Sequence, residues 1–276
     1  MQSVNLFAIV LSLVGPQKPA DHPVLQIKAG EQIVAIGDSI TQAGGYLRAM
    51  DAVFDQQYPD LKIPKIINVG ISGQKAEDLV KRFEKDVVGR KPAVVTISIG
   101  INDVWHRLKN PPDPKVLAEY QRNVEKMVKM AQDAKIRVYL VAPTVIGEDP
   151  KSEGNVRLKE YIKAGQEVAK RNKCTYVDLH NLFLKAIEQH TKMNPAARPR
   201  PKEEGGLAQG FLTGDGVHMK PLGDALMAAG ILRSLGVPDE KVKATDLSKI
   251  FPELQKSETP KPNPKRSETK KEESKP

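Results

Sequence analysis

A serine near the start of the chain, with an aspartate and a histidine near its end, could together catalyse acyl transfer. Ser39 lies in the stretch "GDSIT", directly after the apolar run "IVAI", and Asp215 and His218 lie in "GDGVH". A serine hydroxyl attacks a carbonyl carbon when a histidine accepts its proton and a carboxylate fixes the tautomer of that histidine. We therefore predict Ser39 as the nucleophile, His218 as the general base and Asp215 as the partner of His218.

Three donor groups could stabilise the oxyanion that forms when a serine attacks an ester. The stretch "NVGISG" ends at Gly73, and the stretch "GIND" contains Asn102. An oxyanion needs hydrogen-bond donors aimed at the position where its charge develops. We predict that these donors are the backbone N–H of Ser39, the backbone N–H of Gly73 and the side-chain amide of Asn102. Because glycine has no side chain, the backbone at Gly73 can approach a substrate closely.

Five runs rich in β-branched apolar residues alternate with amphipathic segments along the chain. Nearly continuous apolar runs are typical of strands buried on both faces, and the alternation predicts a parallel sheet with helices on both sides. Ligands of such sheets bind at the carboxyl ends of the strands, which is where the candidate residues lie. The predicted strands cover residues 32–37, 65–70, 93–100, 137–143 and 174–179, and the predicted helices cover residues 77–88, 113–134, 155–172 and 220–236.

The stretches "GDSIT", "NVGISG", "GIND" and "DGVHMKPLG", in this order, resemble the four sequence blocks of the SGNH (GDSL-type) hydrolases. The resemblance spans residues 32–236. It implies a three-layer α/β/α, flavodoxin-like fold with a five-stranded parallel sheet, and ester hydrolysis without a metal or another cofactor. The residues that match the family's catalytic and oxyanion residues are Ser39, Gly73, Asn102, Asp215 and His218.

Three neighbours of these blocks are candidates for the substrate pocket. Asp38 directly precedes Ser39, and Trp105 and His106 follow the third block. The family resemblance implies no single role for Trp105 or His106, so packing at the rim of the site is the alternative interpretation for them.

Other interpretations of the same residues remain open from the sequence. Ser72 also follows an apolar run, but the residues around it lack the G-x-S-x-G spacing of a nucleophile elbow. A metal-dependent phosphoesterase would use several histidines and carboxylates as ligands, whereas only His218 is well placed for this. A non-catalytic glycan-binding module is the third alternative, although every catalytic residue type is present.

The composition excludes some partners and leaves others open. The 276 residues carry a formal net charge of +9, and only 5% are aromatic. No basic block is interleaved with aromatic residues, so scattered surface lysines explain the charge and no nucleic-acid partner is predicted. The single cysteine, Cys174, cannot form an internal disulfide and is predicted to be a buried thiol beside a strand. The sequence does not predict an oligomeric state.

The two ends of the chain differ in composition from its middle. The apolar run "LFAIVLSLV" fits the core of a signal peptide over residues 1–20 and is too short to span a bilayer, although no Lys or Arg precedes it. This predicts export to the periplasm or the extracellular space, with no stable membrane insertion after cleavage. A packed segment in a cytoplasmic protein is the alternative. Residues 30–256 form the predicted hydrolase domain, and residues 257–276 lack apolar side chains and are predicted to be disordered.

A long segment precedes the candidate acid–base pair, and the substrate is predicted only by class. Residues 191–210, rich in Pro, Gly and charge, are predicted to be a surface loop that borders the mouth of the pocket and presents Arg198 and Arg200; a solvated loop that points away from the site is the alternative. The predicted substrate is a small-molecule or glycan ester. Export favours an O-acetylated carbohydrate, and a lysophospholipid or a thioester is the alternative.

Overall fold

The fold is a five-stranded parallel sheet between two helical layers, seen in a computed structural model that describes residues 5–15, 24–195 and 210–252. The strands are β1 Ile33–Gly37, β2 Ile67–Asn68, β3 Val94–Ser98, β4 Arg137–Val141 and β5 Thr175–Val177. The helices are α1 Leu6–Val14, α2 Ser39–Ala43, α3 Gly45–Gln57, α4 Ala76–Asp86, α5 Ile101–Trp105, α6 Pro114–Asp133, α7 Glu153–Arg171, α8 Leu179–Met193, α9 Pro221–Ser234 and α10 Asp239–Lys243. Short 3₁₀ turns lie at Pro59–Leu61 and Val88–Arg90.

The strand order β2-β1-β3-β4-β5 places the first strand inside the sheet. The chain passes from β1 to β2 on one side and then crosses to β3 on the other side. The direction of winding therefore reverses at the carboxyl ends of β1 and β3, which is the position where sheets of this kind bind ligands. All four strand pairs are parallel, which confirms the predicted fold class.

Side chains that alternate along β1 point to the two faces of the sheet and join two separate cores. Ile33 and Ala35 pack in one core with residues of α1, α3, α8 and α9. Val34 and Ile36 pack in the other core with residues of α4, α6 and α7. All five residues of β1 are buried, as expected of a strand covered on both faces.

The N-terminal apolar run forms helix α1 and packs into the first core. Phe7 and Val10 are fully buried, and the side chain of Asn5 caps the helix by accepting the N–H of Ala8 at 2.9 Å. The helix contacts α8, α9 and α10, and the guanidinium of Arg233 on α9 donates to the carbonyl of Gly15. Cleavage within residues 1–20 stays a prediction, and residues 16–20 lie outside the described part of the chain.

Helix α8 extends into the segment that was predicted as a loop over residues 191–210. Thr191 still bonds its hydroxyl to the carbonyl of Ile187, and Lys192 pairs with Glu188 one turn earlier. The helix ends at Met193, because the residue before Pro195 disfavours the helical conformation. The predicted loop therefore starts later than expected. Its residues 196–209, including Arg198 and Arg200, lie outside the described ranges, as do residues 257–276.

The single cysteine lies at the start of β5 and is only partly buried. Burial raises the pKa of the Cys174 thiol to about 11. The thiol is therefore protonated at neutral pH, which suits packing and not nucleophilic chemistry.

Candidate active site

The candidate nucleophile stands where β1 gives way to α2. Ser39 is the first residue of α2, and the side chain of Asp38 caps this helix by accepting the N–H of Ile40 at 3.0 Å. A side chain at Gly37 would place its Cβ 2.2 Å from the hydroxyl oxygen of Thr41 and 2.6 Å from the carbonyl oxygen of Ser98. Only glycine therefore allows the tight turn that presents Ser39 at the carboxyl edge of the sheet.

A continuous chain of hydrogen bonds joins the three residues of the predicted triad. The Oγ of Ser39 lies 2.8 Å from Nε2 of His218, and Nδ1 of His218 lies 2.7 Å from Oδ2 of Asp215. Because a carboxylate only accepts, Nδ1 carries the imidazole proton and Nε2 is left to accept the proton of the serine hydroxyl. This arrangement suits deprotonation of Ser39 during attack on a carbonyl carbon.

The second oxygen of Asp215 holds the loop that carries the histidine. Oδ1 accepts the backbone N–H of Val217 at 3.0 Å and that of His218 at 2.8 Å. Partial burial opposes ionisation of this carboxyl group, but the hydrogen bonds from His218 and Val217 outweigh it and hold the pKa of Asp215 below its usual value. Asp215 is therefore ionised at neutral pH and oriented by its own loop.

The predicted oxyanion donors lie at the ends of β2 and β3. Asn102 is 2% exposed and donates one amide proton to the carbonyl of Gln74 at 3.0 Å, which ties α5 to the loop that contains Gly73. Gly73 has φ +77°, a left-handed conformation that favours glycine. A Cβ at this position would meet nothing within 4 Å, so the backbone angle and not crowding selects glycine here. As the first residue of α2, Ser39 has a backbone N–H with no acceptor inside its helix.

The rival serine, Ser72, differs from Ser39 in its hydrogen bonds. Ser72 is exposed, and its backbone N–H donates to the side-chain oxygen of Gln42 at 2.8 Å. Within the described residues its hydroxyl makes no hydrogen bond to a histidine. The geometry that could activate a hydroxyl is found at Ser39.

The three predicted pocket residues take different positions. Asp38 is 3% exposed and serves as the buried cap of α2, so it is not an open wall of a pocket. The indole of Trp105 meets the imidazole of His218 edge to face, with ring centroids 6.1 Å apart. His106 is mostly exposed, and its ring centroid lies 5.9 Å from that of Trp105. Partial burial, together with the charge of Lys75, lowers the pKa of His106.

Two buried carboxyl groups lie beneath the site. Burial raises the pKa of Asp38 to about 6, although the N–H of Ile40 and the nearby His218 act in the opposite direction. Burial also raises the pKa of Asp103 to about 7, and the N–H of Ala76, 3.3 Å from each carboxyl oxygen, offsets this only in part. In the described ranges, no group of three or more His, Cys, Asp or Glu side chains is arranged to hold a metal ion.

Two polar residues important to the site's architecture were not predicted from the sequence. Glu148, in the loop after β4, accepts hydrogen bonds from the segment that precedes Asp215. Arg82 of α4 donates to the carbonyl oxygens of Val69 and Gly37, at the ends of β2 and β1. The position of Glu148 just past a predicted strand was the one signal for it. Arg82 lies on the polar side of a predicted amphipathic helix, where an exposed side chain is expected, so the sequence does not predict its contacts with the strand ends.

Similarity to known proteins points in the same direction as the geometry. The sequence profile of the GDSL-like Lipase/Acylhydrolase family matches residues 35–226. The chain is 27% identical over 230 residues to an acetylxylan esterase from Geobacillus stearothermophilus, covering 77% of this chain and 97% of that protein. It is 26% identical over 219 residues to the uncharacterized lipoprotein YqeF of Bacillus subtilis (strain 168), covering 73% and 88% of the two chains.

The same fold is found among solved structures. A crystal structure of a catalytic mutant of the acetylxylan esterase from Geobacillus stearothermophilus superposes with a TM-score of 0.65 at 26% identity, covering 78% of this chain and 98% of that one.

In the described ranges, no helix is both long and apolar enough to cross a membrane.

Proposed function

We propose that this chain, which belongs to the GDSL-like lipase/acylhydrolase family and is a carboxylic ester hydrolase, removes O-acetyl groups from carbohydrates through a covalent acyl-enzyme. The observation that carries the proposed mechanism is the chain of hydrogen bonds from Ser39 through His218 to Asp215, with distances of 2.8 Å and 2.7 Å. The proposed substrate rests on the similarity to acetylxylan esterases.

The first half-reaction acetylates the serine. The Oγ of Ser39 forms a bond to the carbonyl carbon of the ester, while its proton passes to Nε2 of His218. The tetrahedral intermediate collapses, the bond to the sugar oxygen breaks, and that oxygen takes the proton from His218. Asp215 stabilises the imidazolium during this step because its carboxylate already accepts the Nδ1 proton.

The second half-reaction releases acetate. A water molecule gives a proton to Nε2 of His218 and attacks the acetyl carbon. The bond to Ser39 then breaks, and Oγ takes the proton back. During both half-reactions the N–H of Ser39, the N–H of Gly73 and the second amide proton of Asn102 are the proposed donors to the oxyanion.

Similarity to relatives with known catalytic residues supports this assignment. The acetylxylan esterase from Geobacillus stearothermophilus has been crystallised as catalytic mutants in which a serine, a histidine and an aspartate are each replaced by alanine. In that enzyme the aspartate lies three positions before the histidine. Asp215 and His218 have the same spacing here.

Two serine variants test the mechanism with a matched control. Ser39→Ala should remain folded and lose about three orders of magnitude or more in kcat/KM on p-nitrophenyl acetate. Ser72→Ala, in the neighbouring loop, should keep most of the activity. If the results were exchanged, Ser72 would be the nucleophile and the proposed mechanism would be wrong.

A comparison of substrates tests the acyl and alcohol specificity. On p-nitrophenyl esters of increasing chain length, a carbohydrate deacetylase should be fastest on acetate and should release acetate from acetylated xylooligosaccharides. A preference for long acyl chains, or hydrolysis of lysophospholipid or of a thioester in place of the sugar ester, would replace the proposed substrate. Binding of glycan without turnover of any ester would make the chain a binding module.

The proposed location of the protein is outside the cytoplasm. The similarity to a protein named as a lipoprotein supports export, as does the hydrophobicity of residues 6–14, whereas the burial of this run in the first core fits the alternative of a packed segment. Cell fractionation with N-terminal sequencing of the purified native protein tests this proposal. A mature chain that starts near residue 15 or 20 and is found outside the cytoplasm is expected. An intact first segment in the cytoplasmic fraction would contradict export.

A further inference from the structure

A buried glutamate after β4 is the anchor of the segment that leads into the Asp215–His218 loop. Glu148 is 5% exposed. Its Oε1 accepts the N–H of Leu212 at 2.8 Å, and the N–H and hydroxyl of Thr213 at 2.8 Å and 2.9 Å. Its Oε2 accepts the N–H of Phe211 at 2.9 Å. A buried carboxylate is stable when donors surround it in this way, and here all the donors belong to one short segment.

The segment closes around the carboxylate so tightly that it needs a glycine. A Cβ at Gly210 would lie 1.8 Å from the carboxyl carbon of Glu148. The N–H of Gly210 donates to the carbonyl of Thr213 at 3.1 Å, and the ammonium of Lys220 donates to the carbonyl of Gly210 at 2.5 Å. The chain therefore forms a turn whose centre is the Glu148 carboxylate.

Asn155 of α7 fixes the loop that carries Glu148. Asn155 of α7 is fully buried, and its side-chain oxygen accepts the N–H of Ile146 at 2.9 Å. Its amide group donates to the carbonyls of Gly147 at 3.0 Å and Asp149 at 2.7 Å. The backbone on both sides of Glu148 is thus tied to a helix of the scaffold.

The anchored turn continues directly into the proposed acid–base pair. The N–H of Gly147 donates to the carbonyl of Gly216 at 2.7 Å, and the N–H of Gly214 donates to the carbonyl of His218 at 2.8 Å. Asp215 and His218 therefore lie within a small hairpin that Gly147 and Glu148 hold at two points. If the anchor at Glu148 is removed, the hairpin loses four hydrogen bonds just before Asp215.

We propose that Glu148 is a positioning residue that sets the orientation of His218 toward Ser39 by fixing residues 211–213. This inference rests on the proposed triad. Glu148 acts only through the loop and touches no reacting atom. Because displacement of a catalytic group by about 1 Å costs on the order of 10²-fold in rate, loss of the anchor should lower kcat with little change in KM.

Glu148→Gln and Gly210→Ala test this proposal in two different ways. The glutamine keeps one acceptor oxygen but turns an NH₂ group toward the N–H of Phe211. Because this loosens only one side of the anchor, we expect about a tenfold lower kcat, which is less than the cost of a full displacement of about 1 Å. The alanine leaves Glu148 unchanged and pushes its carboxylate out of the turn, so we expect about a 10²-fold lower kcat. Kinetics on p-nitrophenyl acetate, well below the unfolding temperature of each variant, measure both effects.

A control and a spectroscopic measurement separate positioning from general destabilisation. Glu31→Gln removes another carboxylate that accepts a backbone N–H and pairs with Arg137, at the opposite end of β1. It should lower the unfolding temperature but leave kcat unchanged. Because Nδ1 of His218 lies 2.7 Å from Oδ2 of Asp215, its proton should give a resonance far downfield in proton NMR. This resonance should shift or broaden in both test variants and not in Glu31→Gln.

Kinetics and NMR together decide the outcome. If Glu148→Gln is folded with wild-type kcat and an unchanged downfield resonance, Glu148 does not position His218. If its KM rises while kcat is unchanged, the residue contacts substrate and the proposal is also wrong. Should Gly210→Ala fail to fold, the isosteric Glu148→Gln still decides. Activity retained in Ser39→Ala would instead refute the triad, whatever the Glu148 variants show.

Discussion

Replacement of Asp103 by asparagine should stabilise the protein at pH 8 and change its stability little near pH 4. Asp103 is 5% exposed, and burial raises its pKa from an ordinary 3.8 to about 7. The folded state therefore binds a proton that the unfolded state has already released between these two pH values. Because the folded state binds more protons in this window, the free energy of unfolding falls as the pH rises from about 4 to 7.

The size of the effect follows from the same pKa. A pKa raised from 3.8 to about 7 lowers the free energy of unfolding by about 4 kcal/mol above pH 7. This follows from about 1.4 kcal/mol for each tenfold change in proton affinity. Asparagine has nearly the same shape, carries no charge and can still accept the N–H of Ala76 through its amide oxygen. The gain in stability of Asp103→Asn should therefore approach this value at pH 8 and vanish near pH 4.

Urea unfolding at pH 4, 6 and 8 measures this difference, with the fluorescence of the single tryptophan, Trp105, as the probe. Glu119→Gln, at an exposed position of α6, is the control for the change in net charge. The reasoning would be refuted if the stability difference between Asp103→Asn and the parent protein were the same at pH 4 and pH 8. A variant less stable at pH 8 would show that the N–H of Ala76 and the start of α4 hold Asp103 ionised.

Three further substitutions probe the site and its supports. Asn102→Ala should lower kcat by about 10²–10³ with little change in KM if its amide is the proposed donor to the oxyanion, and steady-state kinetics measure kcat and KM separately. Arg82→Met should lower the free energy of unfolding by about 3 kcal/mol in urea titrations, because carbonyl groups at the ends of β1 and β2 lose their donor. Gly37→Ala should destabilise by about 1–3 kcal/mol and lower kcat, because its Cβ would overlap Thr41. Gly89→Ala is the control, since its Cβ would meet its nearest neighbour at 3.4 Å.

For each of these three substitutions, a different result would change the role assigned to the residue. A change in KM alone for Asn102→Ala would make that residue a substrate contact. Wild-type stability for Arg82→Met would show that water replaces its guanidinium at the strand ends. Equal stability of Gly37→Ala and Gly89→Ala would mean that the turn before Ser39 relaxes without cost.

The sheet could be predicted because parallel strands carry a strong local signal. The runs that became β1, β3 and β4 are apolar at nearly every position, and strands covered on both faces are made in this way. The polar residues that follow those runs share the carboxyl edge by topology. This is why Ser39 and Asn102 could be assigned to one edge of the sheet before any distance was known.

Other features depend on contacts that the sequence does not encode locally. The run Leu6–Val14 has the length and hydrophobicity of a signal-peptide core, and it also suits a buried helix, so its packing on α9 depends on the groove it meets. The role of Glu148 depends on residues that follow it by more than sixty positions. Neither the residue types nor the spacing around Glu148 predicts that it accepts hydrogen bonds from residues 211–213.

The bond between Ser39 and His218 joins residues 179 positions apart in the chain. Contacts between such distant residues are expected to form late, because the entropy cost of closing a long loop comes before the contact can contribute any stabilisation. Ser39, the proposed nucleophile, lies two residues after β1, whereas His218, its proposed base, lies in a hairpin formed by a much later part of the chain. During synthesis or refolding, helices and strands can therefore form while hydrolytic competence is still absent. Recovery of esterase activity should lag behind recovery of the circular dichroism signal, so that turnover of a chromogenic ester reports completion of folding.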